Sequence, residues 1–210
     1  SEWHYVFCTT MGRQIIQTMD RGEAEDQKLL KQAIYYLALH EVGHTLGLNH
    51  NMKASGLDDP AAIHDEKLTR ESGLIGSVMD YPGVNVSPDS HKQGLYYVVS
   101  PGPYDYWAVE FGYREFKPEE ESKKLAEILN RSTEKAHLFG NDADDMRYPG
   151  FGIDPRVMIG DMSSDPVTYS VERIQLVNDA LPKLKDKFAK PGESYQGLRD
   201  AYLVLTGEVW

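Results

Sequence analysis

Leu30, Ile34 and Leu37 recur at helical spacing, and Leu29, Ala33 and Ala38 widen the stripe, so the pattern predicts a helix from about Gly22 to Leu48. Glu23, Glu25 and Asp26 fall in its first turns, where the helix dipole favours negative charge. Gly47 is placed to end it, because glycine tolerates the left-handed conformation of a C-terminal cap. The stretch from Asn49 to Ser100 is rich in Gly, Pro, Ser, Asn and Asp and reads as long loops with short helical pieces. Loops of that length inside a compact domain are commonly functional. A second helix is predicted from Tyr104 to Phe111, closed by Gly112, and a third, highly charged one from Glu119 to about Arg131. After another Gly/Asp/Pro-rich connection from Asn141 to Ser164, Asp165-Pro166 reads as an N-cap with proline at the first helical position. The helix it opens should run to about Lys187 with a kink or break at Pro182. A last helix is expected from Ser194 to Val209, with Leu198, Ala201, Tyr202 and Leu205 on one face. Strand candidates are only Tyr5 to Cys8 and Tyr96 to Val99, so the chain reads as mainly α with little or no β-sheet.

Composition places the chain among ordinary globular proteins: 210 residues, 40% hydrophobic and 26% charged. With 22 basic against 33 acidic side chains and a formal charge of −11, nucleic acid is an unsuitable partner, since phosphates need a basic surface. No apolar run approaches the ~20 residues of a membrane helix, so no transmembrane segment is expected. Cys8 stands alone, which leaves no internal disulfide from which to read a redox compartment. The chain opens at Ser1 without a basic-then-apolar leader, so any signal peptide is expected to have been removed or to lie upstream.

The chemistry concentrates in one segment, His40-Glu41-Val42-Gly43-His44-Thr45-Leu46-Gly47-Leu48-Asn49-His50. On a helix His40 and His44 lie about 6 Å apart along the axis on one face, where two imidazoles can share a metal ion. Glu41, roughly 100° further round, is badly placed to be a ligand but well placed to reach a water on the metal as a general base. Gly47 turns the chain so that His50 returns as a third nitrogen ligand, and three ligands leave an open fourth position, as in catalytic rather than structural zinc sites. Paired histidines at this spacing also arise by coincidence on helix surfaces. Here three of the seven histidines fall in this one segment, with Glu and Gly at the two positions the geometry demands.

This pattern resembles that of the metzincins, the zinc endopeptidases that include astacins, serralysins and matrix metalloproteases. Ser77-Val78-Met79-Asp80-Tyr81 is similar to the family's Met-turn, in which the methionine forms a soft floor under the imidazoles. The resemblance implies that Tyr81 ligates zinc in the resting state or donates a hydrogen bond to the oxyanion of the intermediate. Tyr104 to Gly112 is similar to the helix behind the Met-turn, where Asp105 would support the turn's backbone; helix capping is the alternative role for that aspartate. The combination looks closest to large bacterial metzincin-like proteases, which are usually exported to the periplasm, cell surface or exterior.

The resemblance also implies an upper sheet ahead of the first histidine, and residues 1–39 are too few for one with its crossover helices. The chain is therefore expected to be the C-terminal part of such a catalytic domain, residues 1–112, followed by a helical extension, residues 113–210, with an upstream part of the same polypeptide completing the cleft. On this reading the function is zinc-dependent hydrolysis of peptide bonds in a peptide or protein substrate, weak in the isolated chain. The ligands are His40, His44 and His50, Glu41 is the base and Tyr81 the oxyanion partner. The alternatives are a zinc-binding, non-catalytic module of a larger protein and a metal-dependent hydrolase of other bonds. Asn141, Asp142, Asp144 and Asp145 lack the glycine register of an EF-hand and read as a solvated acidic loop. His4, His64, His91 and His137 read as structural or surface residues, with His64 the one that lies between ligands and Met-turn in sequence, and Cys8 lacks the partners of a nucleophile.

Overall fold

A computed structural model of the chain describes residues 2–145, 147, 152 and 154–207. Among these it contains eight α-helices, short 3-10 turns, long extended loops and no strand, in agreement with the mainly α expectation. The helices are α1 (Glu2–Thr18), α2 (Glu23–Thr45), α3 (Glu66–Ser72), α4 (Pro103–Tyr113), α5 (Pro118–Leu129), α6 (Pro166–Ala180), α7 (Leu184–Phe188) and α8 (Gln196–Thr206).

Both strand candidates are corrected. Tyr5 to Cys8 lies inside α1, whose buried positions Cys8, Met11 and Ile15 recur at helical spacing and pack against α2. A bidentate contact from Arg13 on α1 to Asp26 on α2, at 2.7 and 2.8 Å, fixes the two helices side by side. Tyr96 to Val99 is a loop without ladder pairing. The backbone around it is deeply buried, and side chains supply its hydrogen bonds. Gln32 Oε1 on α2 accepts from the Tyr96 and Tyr97 N–H groups, and Asn85 Nδ2 donates to the Ile63 and Leu95 carbonyls. Tyr169 and Arg173 on α6 donate to the Val84 carbonyl. Buried backbone must be paired somewhere, and here polar side chains do what a neighbouring strand would otherwise do.

The predicted stripe on α2 is also rotated. Leu29, Ala33, Tyr36, His40 and Gly43 are the buried line, whereas Ile34 is 60% exposed and Ala38 faces solvent. The helix thus spends its inward face on tyrosine, histidine and glycine as well as aliphatic residues, which a purely apolar count overlooks. One cluster of buried hydrophobic residues runs from Cys8 on α1 to Leu205 on α8, so the helices after α5 and those before α4 share a core. Asp165 caps α6 by accepting from the Thr168 N–H, and the helix breaks at Leu181–Lys183, around Pro182, before α7 resumes. The last helix closes at Thr206; Val209, where it was expected to end, lies outside the described residues, as does part of the 141–164 connection. On α8 Ala201 and Leu205 are buried, but Tyr202 is half exposed.

Candidate metal centre

The last turn of α2 and the bend that follows it bring His40, His44 and His50 together. The Gly47 N–H donates to the His44 carbonyl at 3.0 Å, and the Leu48 N–H donates to the Gly43 carbonyl at 3.1 Å. This is the bond pattern of a helix stop with a left-handed residue, and Gly47 has φ +81°. His50 then folds back. One ring nitrogen of each histidine lies within 4.8 Å of one from each of the others, and the ring centroids are 4.8 to 5.4 Å apart.

Each imidazole is held through its Nδ1. His40 Nδ1 donates to the Val78 carbonyl at 2.8 Å, His44 Nδ1 to the Leu48 carbonyl at 3.0 Å, and His50 Nδ1 to the Asp142 carboxylate at 2.8 Å. All three partners can only accept, so each Nδ1 carries the proton and each Nε2 keeps its lone pair. His40 Nε2 is buried and has no hydrogen-bond partner within the protein. A buried, unpartnered lone pair that converges with those of exposed His44 and of His50, the latter taken up by the Tyr81 hydroxyl, fits a metal ion, and a set of three imidazoles suits zinc better than magnesium or calcium. Burial pushes the His40 imidazole down to about 4, which keeps it in the neutral, ligand form.

The floor of the site is the segment Ser77-Val78-Met79-Asp80-Tyr81, whose first four residues are buried. Met79 lies directly under α2. A Cβ placed on Gly43 would stand 2.2 Å from Met79 Sδ, so no larger residue fits there without displacing the thioether. Gly43 is a position that the sequence reading passed over. Its signal was nevertheless present, because a glycine inside a helix costs about 1 kcal/mol against alanine and so implies a packing reason.

Asp105 performs both of the roles considered for it. Its carboxylate accepts from Ser77 Oγ at 2.5 Å and the Val78 N–H at 2.9 Å, which supports the turn, and from the Gly102 N–H at 2.8 Å, which caps α4. The turn is tied to the third histidine as well, through the Asn51 N–H donating to the Met79 carbonyl at 2.9 Å. Asp80, fully buried, accepts from the Ser55 and Tyr81 N–H groups, each at 2.6 Å; burial and neighbouring Asp161 hold its carboxyl well above the usual carboxylate range.

Tyr81 closes the group. Its hydroxyl donates to His50 Nε2 at 2.9 Å, and its ring centroid is 4.9 Å from that of His40. Burial raises the phenol above its ordinary value, so it remains a proton donor. Glu41 is exposed on α2, and its charge is felt at both His40 and Tyr81. Among the described residues no other group of three potential ligands comes together. His64 pairs with Glu172 on α6, His4 with Cys8 and the Pro82 carbonyl, and His137 stacks on Trp107.

The reading of a solvated acidic loop holds for Asp142 and is corrected for Asp145. Asp142, 59% exposed, engages His50, and Asp145 is buried and pairs with Arg147 rather than with solvent. The contact with His50 spans 92 positions, so no local pattern in the sequence could have announced it.

No curated protein and no solved structure matches the chain. A family model described as Met-zincin matches residues 22–209. Because that match begins at the doorstep of α2 and continues past the last described helix, the chain belongs to the Met-zincin family.

Proposed function

We propose that the chain is the zinc-binding part of a metalloendopeptidase that hydrolyses peptide bonds with Glu41 as general base. The observation that carries this reading is the set of three Nδ1-anchored imidazoles with a carboxylate on the adjoining helical position. His40, His44 and His50 would hold the metal through Nε2. Zinc, when bound, supplies the Lewis acidity that polarises a carbonyl and acidifies a water. Glu41 accepts the water's proton on a carboxylate oxygen and hands it to the departing amine. Tyr81 donates its hydroxyl hydrogen to the oxyanion that develops on the substrate, a role its retained proton suits. A purely structural site would have no use for an exposed carboxylate next to its ligands, which favours catalysis over the non-catalytic alternative. Family membership supports the same reaction class.

Glu41→Gln preserves shape while removing the base. The variant should bind zinc as the parent does and turn over a mixed-peptide substrate about 10²–10⁴-fold more slowly. His44→Ala should lose the metal itself, measured by elemental analysis after dialysis. Parent-level turnover in Glu41→Gln would overturn the general-base role, and full zinc content in His44→Ala would overturn the site.

A further inference from the structure

We infer that the loop 138–142 is a working part of the metal centre, and that Asp142 on it is a positioning residue for His50. The inference rests on the proposed metal site, but not on peptide-bond hydrolysis.

The first support is the way the loop is fixed. Asn51, fully buried and next in sequence to His50, clips it from both sides: Asn51 Nδ2 donates to the Leu138 carbonyl at 3.0 Å, and Asn51 Oδ1 accepts from the Gly140 N–H at 3.1 Å. The Met52 N–H adds a bond to the Gly140 carbonyl at 2.8 Å. Gly140 is also packed from another side, since a Cβ there would stand 2.4 Å from a Val157 methyl. Beyond the clip the chain turns on itself through the Asp144 N–H and Asn141 carbonyl, 2.9 Å apart, which puts Asp142 at the outer corner.

The second support is the kind of acceptor. His44 is oriented by a backbone carbonyl of its own helix stop and His40 by one in the buried turn beneath it, whereas His50 alone is oriented by a side-chain carboxylate, one that lies 92 positions away. A contact so exposed adds little to folding stability, because solvent screens it. What a carboxylate on Nδ1–H does is fix the tautomer and ring angle and make Nε2 a stronger donor. His50 needs such help most. It lies beyond the end of α2, on a bend, where no helix constrains its ring. The region after α4 therefore supplies the outer half of the third ligand.

The test measures zinc affinity by competition with a chromophoric chelator for the parent, Asp142→Ala, Asp142→Glu and His44→Ala, together with the visible spectrum of the cobalt-substituted forms. Asp142→Ala should bind zinc about 10–100-fold more weakly and shift the cobalt spectrum, with the melting temperature of the metal-free chain unchanged. Asp142→Glu should restore part of the affinity. If Asp142→Ala matches the parent in affinity and spectrum while His44→Ala loses zinc, this inference fails and the metal site stands. If His44→Ala also binds as the parent does, the site itself is wrong.

Discussion

His40 and His50 sit on opposite sides of the same centre and are held by different means. His40 is 2% exposed and donates to a carbonyl in the turn beneath it. That turn is in turn held by Asp105, a buried carboxylate from α4. His50 is partly exposed and leans on Asp142, itself mostly in solvent. On the first side, orienting the ligand and folding the protein are one task, because each bond in the chain of support is buried and costly to leave unmade. On the second side the two tasks separate, since an exposed pair orients a ring without carrying much of the fold. Damage should therefore read out as lost stability on the His40 side and as lost metal affinity on the His50 side.

The largest effect is expected from Asp105→Ala. It strands Ser77 Oγ and the Val78 and Gly102 N–H groups in a buried place. Part of the loss is returned because burial already disfavours the charged Asp105, raising its pKa. The net cost should be about 3 kcal/mol, seen as an earlier urea midpoint of the metal-free chain. A change below about 0.5 kcal/mol would break the comparison, because the His40 side would then carry no more of the fold than the exposed pair does.

How far these two sides could be read from the sequence follows the same division. The three ligands, Glu41, Gly47 and the Met-turn lie between residues 40 and 81, and their relations are set by one helix, its stop signal and one turn. Asp105 was legible only through resemblance, with helix capping as an equal reading, and the structure needs both. Asp142 was invisible because its meaning is tertiary. The fold shows the same limit. Helix α6 and its break at Pro182 announce themselves by local chemistry, whereas α1 was obscured by a short β-like run, Tyr5 to Cys8, although Cys8, Met11 and Ile15 carry a helical period. The long loops between α2 and α4 held their extended backbone with Asn85, Gln32 and Arg173, polar residues that no hydrophobic pattern would nominate for a core.

A second, smaller effect concerns protons. Burial leaves His40 titrating at about 4 rather than near its ordinary 6.5. Between those two values the unfolded chain binds more protons at this position, so stability from His40 is complete above 6.5 and is lost as pH falls toward 4. Asp80 and Asp161 act with the opposite sign. Burial raises both, Asp161 to about 7, so the folded chain holds the extra protons there and stability falls as pH climbs through the range between 3.8 and that value. The opposing slopes blur a simple melting curve. The clean measurement is an NMR titration of the metal-free chain, in which the His40 ring should stay neutral down to about pH 4. A midpoint near 6.5 would mean that His40 is no better sheltered than an exposed histidine, and the contrast between the two sides would shrink.

The smallest effect should come from Tyr81→Phe on metal affinity, and it probes the seam between the sides. The ring stands 4.9 Å from His40 and 4.8 Å from His50 between centroids, so phenylalanine keeps the packing on both. The hydroxyl gives its hydrogen to His50 Nε2, the lone pair a metal needs. A metal reaching that nitrogen must first displace a hydrogen bond worth about 1 kcal/mol, and removing the hydroxyl removes that cost. Zinc should therefore bind the variant about fivefold more tightly, with the urea midpoint nearly unchanged. Turnover should move the other way, because the oxyanion loses its donor. Should zinc instead bind Tyr81→Phe some tenfold more weakly, the hydroxyl would be serving the metal as a further ligand. The His50 side would then be held by two long-range partners, Tyr81 and Asp142, and the asymmetry between the sides would be greater than the hydrogen bonds alone imply.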